Sequence, residues 1–317
     1  MRSCRIWSLS RLRVVSAAAA FRPLAVVTAT FAYLQIALGG VVRVSGSGLG
    51  CPDWPLCHGR PYPPANLQSI IEYSHRAVGT VTGALIIATV VLAWVAYRHR
   101  RPVVAWLATA SLVAVAAEGG LGGIVVANEL APWLVLVHLG LAMIILGFLV
   151  ATAVMAMAPS SGVMDPAFRR VAAVAAGATY LLLLTGSSVV ASGADRSCRS
   201  WPLCGSGFAL DFGGVNAFTM LHRGAVLLVG VLLVYTLVSA FNRPGLRGVA
   251  VATLAVFAVQ VAVGAAAAIR PIALFDGLHV ALATLVWAGV LTTAILTLPR
   301  VDRGPELTRL AVEKGPA

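Results

Sequence analysis

The sequence predicts an all-α integral membrane protein, with eight transmembrane helices arranged as two tandem four-helix bundles related by a pseudo-two-fold axis along the membrane normal. Three observations carry this. The 317 residues are 59% hydrophobic and 11% charged, with a mean hydropathy of +0.91, whereas soluble domains are about 25% charged. Apolar runs of about 20 residues, the length that crosses a bilayer as a helix, recur along the chain. The chain also matches itself at an offset of 147 residues: Cys51, Trp54, Pro55, Leu56 and Cys57 fall on Cys198, Trp201, Pro202, Leu203 and Cys204. Around them Gly39, Val42, Ser45 and Gly46 fall on Gly186, Val189, Ser192 and Gly193, and His75-Arg76 falls on His222-Arg223. An even number of helices per copy makes both copies run the same way through the membrane, the parallel type of repeat.

The first span, roughly 22–43, follows the arginine-rich RSCRIWSLSRLR. It is long and no clean small-residue cleavage site follows it, so it reads as an anchor and not as a signal peptide; residues 1–21 then form a cytoplasmic segment. A loop at roughly 44–72 holds CPDWPLC and His58, and the second span, roughly 73–97, carries His75 just after the string EYSHR begins. The charged turn YRHRRP, with His99, leads to the third span, roughly 103–126, which contains Glu118 and EGGLGGIVV. The turn NELAP, with Glu129, leads to the fourth, roughly 133–157, with His138; together these form an N-terminal half, 22–158. The C-terminal half, 168–298, opens with the fifth span at roughly 169–192 and a loop at roughly 193–216 holding CRSWPLC. Its remaining spans, roughly 217–240, 247–269 and 274–298, carry His222, Gln260 and His279, and residues 299–317 are a short cytoplasmic tail. The match between halves loosens after their second helices: His138 and His279 are 141 apart, which a shorter connection at AIRPIALF than at VANELAPW explains.

The net charge of +12 does not mark a nucleic-acid binder. With the N-terminus inside and eight crossings, sixteen of the 23 lysines and arginines lie on the cytoplasmic side and seven outside, the positive-inside bias. Both termini are then cytoplasmic and both cysteine loops face outward, in an expected plasma-membrane location. Outside the cytoplasm thiols are commonly oxidised. For the two cysteine pairs, a zinc site shared between loops, a redox-active dithiol and structural disulfides are all open, and the outer location favours disulfides. Cys4 has no evident partner.

Four of the six histidines, His75, His138, His222 and His279, fall within about two turns of the outer end of an even-numbered span. An ionisable side chain in a membrane is costly and marks function more often than packing. Two imidazoles at one depth on facing helices suit the two axial faces of a heme iron, and too few other donors lie near for a bare zinc ion. The repeat pairs His75 with His138 and His222 with His279. His58 and His99 read as solvated. The halves differ at one telling place: Glu72, three residues before His75 and on the same helix face, aligns with Thr219. A wet interfacial carboxylate and an acid–base group are both open for Glu72; the asymmetry favours the second, with one porphyrin site reactive and the other an electron carrier. Arg76 and Arg223 are candidates for heme propionates, or interfacial arginines reaching to headgroups. Gln35, Glu118 and Gln260 are intramembrane polar residues without an obvious partner, and the glycine runs read as packing with room for a flat cofactor.

Together, GGVVRVSGSGLGCPDWPLC, EYSHR, HLGLAM, LHRGAV and LHVALAT make the chain resemble the bacterial-type heme A synthase family over roughly residues 20–298. The resemblance implies conversion of heme O to heme A by oxidation of a porphyrin methyl to a formyl group; the expected route is stepwise, through an alcohol and a gem-diol that loses water. It implies a low-spin heme b on His222 and His279. It further implies that the N-terminal half receives heme O between His75 and His138, with Glu72 required for the chemistry. Disulfides Cys51–Cys57 and Cys198–Cys204 are implied as well, together with heme O synthase and terminal-oxidase assembly as partners; a homo-oligomer is compatible with it. The electron acceptor is not readable. Two rivals are a di-heme b-type cytochrome that only transfers electrons and a heme transporter, the latter disfavoured because transporter sites lie near the midplane.

Overall fold

The computed structural model of the chain describes residues 2–157, 165–204 and 210–299, with side chains from residue 16 onward. The tail from residue 300 and the Cys4 side chain lie outside these residues. The helices are α1 (Arg2–Val44), α2 (Leu67–Tyr97), α3 (Pro102–Ala127), α4 (Pro132–Met157), α5 (Pro166–Ala191), the short α6 (Ala194–Ser197), α7 (Asn216–Phe241), α8 (Arg247–Ile269) and α9 (Ala273–Leu296). All but α6 contain a segment long and apolar enough to cross a membrane; in α1 that segment is Ser16–Val44. The chain is thus an all-helical, multi-pass membrane protein, as expected.

Helix starts follow local chemistry. Pro102, Pro132 and Pro166 each occupy a first helical position, where the missing N–H costs nothing. Asp165 and Asn66 cap α5 and α2 by accepting from the amides of Ala167 and Ser69. The Asn66 cap corrects one sequence expectation. Helix α2 begins at Leu67, six residues before the predicted start at 73, because LQSIIE is too polar to register as membrane-spanning yet is capped and helical. Glu72 and His75 therefore lie well inside a helix. Helix α1 likewise runs back beyond the predicted start at 22.

In the N-terminal half α1 packs on α2, α3 on α4, α1 on α4 and α2 on α3; in the C-terminal half α5, α7, α8 and α9 repeat those pairings in order. The halves meet where α4 packs on α5 and α9 on α1, with α4 against α9 between them. These neighbour relations are those a two-fold repeat gives. The seam is made of small residues and hydrogen-bonded aromatics. Tyr180 Oη donates to Gly140 O at 3.1 Å across the seam, and Trp287, held within its own half by Nε1–H donating to Ala176 O at 3.1 Å, packs into the first half beside Gly147. Lipid supplies no hydrophobic drive between helices, so close approach through glycine and alanine and buried hydrogen bonds hold them. Thr28 and Thr89, both buried, bond at 2.8 Å between α1 and α2. Most of the buried core gathers at the middle and at the end away from the cysteine loops, around Phe21, Tyr97 and Val104 in one half and Phe168, Leu237 and Leu246 in the other. All four candidate histidines lie toward the loop end, and each is only half-buried.

Candidate functional site

The four histidines share one construction. Each presses its ring against a glycine of the neighbouring helix. A Cβ built on Gly39 (α1) would stand 3.1 Å from His75 Cε1 (α2), one on Gly186 (α5) 3.1 Å from His222 Cε1 (α7), one on Gly264 (α8) 2.7 Å from His279 Cε1 (α9), and one on Gly122 (α3) 3.5 Å from His138 Cε1 (α4). The glycines therefore do more than let helices approach: each makes the recess that seats an imidazole. Within each half the two imidazoles are in electrostatic reach, His75 of His138 and His222 of His279, as the repeat pairs them.

Each ring also meets a polar side chain from the helix that seats it. Gln35 Nε2 lies 3.3 Å from His75 Nε2, Glu118 Oε1 3.0 Å from His138 Nδ1, Thr185 Oγ1 2.9 Å from His222 Nδ1 and Gln260 Nε2 3.0 Å from His279 Nδ1. This corrects the expectation that Gln35, Glu118 and Gln260 lack partners. The signal was present in the sequence: each stands four residues before its seating glycine, one helical turn along the same face. Thr185 had no such mark. At the corresponding place the C-terminal half has Leu182, four before Gly186, and the polar partner has moved to position 185.

Fitness for a porphyrin between each pair rests on the donors and the orphaned atoms. Polar atoms buried without hydrogen bonds are rare, yet His75 Nδ1, His138 Nδ1, Gln35 Oε1, Glu118 Oε2 and Gln260 Oε1 are all in that state, crowded around the histidines. Among the described residues no three His, Cys, Asp or Glu side chains gather as a bare ion would require. Two half-buried imidazoles in each half, within electrostatic reach of one another, would suit a ligand that needs only two donors from the protein. The residues fit a heme.

Glu72 is placed by the first cysteine loop. It is 4% exposed; its Oε2 accepts from Cys51 N at 2.7 Å and its Oε1 from Arg76 Nη2 at 2.5 Å. Arg76 also donates to the carbonyls of Cys51, Asp53 and Leu56. Four of the five guanidinium N–H groups are thereby engaged, which leaves Arg76 a loop clamp with little capacity for a propionate. Among the described residues Arg223 donates to Pro202 O, at 3.0 Å, and the place of Glu72 is taken by Thr219, whose Oγ1 has no partner among them. Backbone contact completes the docking. A Cβ on Gly50 would meet the Gln68 and Ser69 backbone at 2.5–2.7 Å, and Ser69 Oγ donates to Gly50 O. Outside the membrane segments, the Gly59 amide, then that of His58, holds the Asp53 carboxyl below its ordinary range and braces the loop.

The cysteines form two intraloop disulfides, Cys51–Cys57 and Cys198–Cys204, and all four are buried. The shared zinc site is thereby set aside. Both loops carry a cis Trp–Pro bond, Trp54–Pro55 and Trp201–Pro202. Trp54 lies on α3, its Cδ2 3.1 Å from a Cβ position on Gly123, and an open cleft runs between this loop and the Gly120–Ala127 face of α3. His58, His99 and Glu129 are exposed, as expected; His58 additionally bonds Gly50 O at 3.0 Å.

Comparison with known proteins agrees with this geometry. The family model described as COX15-CtaA, cytochrome oxidase assembly protein, matches residues 22–71 and 66–291. The heme A synthase of Symbiobacterium thermophilum is 30% identical over 296 residues, 88% of this chain and 96% of its own length. That of Alkalihalophilus pseudofirmus is 31% identical over 67% of this chain and 75% of its own. That of Bacillus pumilus is 30% identical over 70% and 75%. On the span of these matches, and with four glycine-seated histidines beneath two disulfide loops, the chain belongs to the cytochrome oxidase assembly family that includes the bacterial heme A synthases.

Proposed function

We propose that this protein is a heme A synthase that oxidises a methyl group of heme O to the formyl group of heme A. The N-terminal half takes heme O as substrate between His75 and His138. The C-terminal half holds a heme b between His222 and His279, which when bound supplies one-electron transfer. The observation that carries this reading is the asymmetry between two otherwise matching sites. The first contains the carboxylates Glu72 and Glu118; the second has Thr219 and Gln260 in their places. A repeat that only relayed electrons has no need to put both carboxylates in one half.

The residues divide the work. His75 and His138 orient the substrate, and their glycine seats limit how far the rings swing. Glu72 puts a negative charge beside the site, where it stabilises positive charge that builds on the substrate edge as the methyl carbon is oxidised. Through Cys51 N–H and Arg76, the same carboxylate keeps the disulfide loop closed over α2. Arg223, with one hydrogen bond among the described residues against four for Arg76, is the better propionate partner of the two arginines. The charge distribution supports a plasma-membrane location with the loops on the outer face, and substrate and product place the protein between a heme O synthase and terminal-oxidase assembly.

The test is co-expression with a source of heme O, followed by mass analysis of the extracted hemes. The wild-type chain should yield heme A. Glu72→Ala should retain heme b and lose heme A; heme A at the wild-type level would remove Glu72 from the chemistry. Absence of any hydroxylated or formyl product from the wild-type chain, under every redox regime tried, would favour a di-heme cytochrome that only carries electrons.

A further inference from the structure

The two halves hold their histidines differently, and the difference falls where exchange is needed. A substrate porphyrin must enter and its product must leave, whereas a resident heme stays. An imidazole that ligates through Nε2 carries its proton on Nδ1, and an acceptor there fixes the ring and strengthens the ligand. In the C-terminal half both histidines have a side chain at Nδ1. The Thr185 hydroxyl gives its own proton to Leu182 O at 2.7 Å, so at 2.9 Å from His222 Nδ1 it is free to accept. At His279 the Gln260 amide nitrogen lies 3.0 Å from Nδ1 and 3.4 Å from Nε2, so its nearer contact is on the Nδ1 side, while its Oε1 is unpartnered. The opposite orientation of that amide, indistinguishable in shape, sets the oxygen on Nδ1–H and satisfies both groups.

The N-terminal half departs from this on each side, in opposite directions. At His138 the position of Gln260 is taken by Glu118, whose Oε1 lies 3.0 Å from Nδ1 in a contact without hydrogen-bond geometry, so that Nδ1 and Glu118 Oε2 both stand without a hydrogen bond. Once an Nδ1–H turns toward it, a carboxylate is a stronger acceptor than an amide, whereas His75 has no such group within reach of Nδ1. At His75 nothing meets Nδ1, and the Gln35 amide instead lies 3.3 Å from Nε2, the nitrogen an iron would take. The repeat makes the exchange of residues explicit. Gln35 and Leu38 of α1 align with Leu182 and Thr185 of α5. The polar side chain has moved by three residues, from the Nδ1 side of the ring in one half to the Nε2 side in the other.

We propose that Glu118 and Gln35 are positioning residues that make the substrate site one-sided: Glu118 anchors the porphyrin through His138, and Gln35, by competing for Nε2, favours its release from His75. This rests on the reading that the N-terminal half takes heme O. Neither residue need touch the porphyrin; both act through the histidine they contact.

The experiment loads the full-length chain in detergent with heme O and follows its transfer to excess apomyoglobin, with the released heme identified by mass so that resident heme b is not counted. Gln35→Leu/Leu38→Thr rebuilds the C-terminal arrangement in the first half and should slow heme O release about tenfold. Glu118→Ala should speed it by about 10–100-fold, the usual effect of losing a partner behind a ligating histidine, and shift the ferric spectrum from low toward high spin. Glu118→Gln, which copies Gln260, should fall between. Release at the wild-type rate in both Gln35→Leu/Leu38→Thr and Glu118→Ala would overturn the proposal. The underlying reading fails separately: if His138→Ala binds heme O with wild-type stoichiometry and spectrum, heme O is not held there at all.

Discussion

Replacing Gly264 by alanine isolates the seating recess from every other property of the helix. The added Cβ would stand 2.7 Å from His279 Cε1 and 3.1 Å from its Nδ1. Ordinary contact begins at 3.4 Å, so the ring must retreat by about 0.7 Å. An imidazole is rigid, and a ligating site tolerates displacement of only about 0.5 Å. The Gln260 contact at Nδ1 is disturbed by the same movement. Overpacking of this kind costs about 1–3 kcal/mol, whereas alanine gains up to about 1 kcal/mol over glycine as a helix former. The gain offsets only part of the cost, so the heme-free chain should lose no more than about 2 kcal/mol while the heme is lost. Affinity for heme at the C-terminal site, read as the pyridine hemochrome, should fall at least tenfold, with the heme-free chain in detergent still folded and only modestly less stable to heat. The same substitution at the other seats gives a graded series. Gly39→Ala and Gly186→Ala, at 3.1 Å, should weaken binding in their own halves less, and Gly122→Ala, at 3.5 Å, should be tolerated. Full heme content in Gly264→Ala, or greater loss in Gly122→Ala, would refute the seating argument.

Other outcomes follow from the loops. Arg76→Ala removes four donor bonds and leaves buried Glu72 without its cation, a loss of about 3–5 kcal/mol in local stability; reductant should then open Cys51–Cys57 faster, while Arg223→Ala, which removes one described bond, should change Cys198–Cys204 reduction much less. Equal responses would contradict the clamp. Cys51→Ser/Cys57→Ser should free the amide that Glu72 accepts from and lower heme A yield while sparing the C-terminal heme; unchanged yield would show that the loop is not needed to hold Glu72. The Asp53 carboxyl is held below its ordinary value of 3.8 by backbone amides, so its bracing of the loop is complete above that value and is lost as pH falls through the lower folded value. Trp54 fluorescence should report a transition below pH 3.8 that Asp53→Asn abolishes; a transition in the variant as well would assign it elsewhere.

Much of this molecule was legible in its sequence, and the reason is physical. A bilayer demands that backbone polar groups be satisfied within each crossing, so eight apolar runs translate directly into eight helices. The duplication at 147 residues carries the helix pairings with it, because a repeated module buries the same faces twice. Histidine is expensive in such a setting, and its four appearances at one depth stood out for that reason. Only the tertiary structure decided how those histidines are held. The partners of Gln35, Glu118 and Gln260 lie on other helices, and hydropathy along one helix carries no record of what faces it across a gap. Glu72 shows the same limit: its spacing put it on the His75 face of α2, but its burial comes from the loop of Gly50 and Cys51 folding back over the helix. Contacts made along one helix follow its periodicity and can be read from the chain; contacts made across helices depend on packing angle and register, which only the folded structure sets.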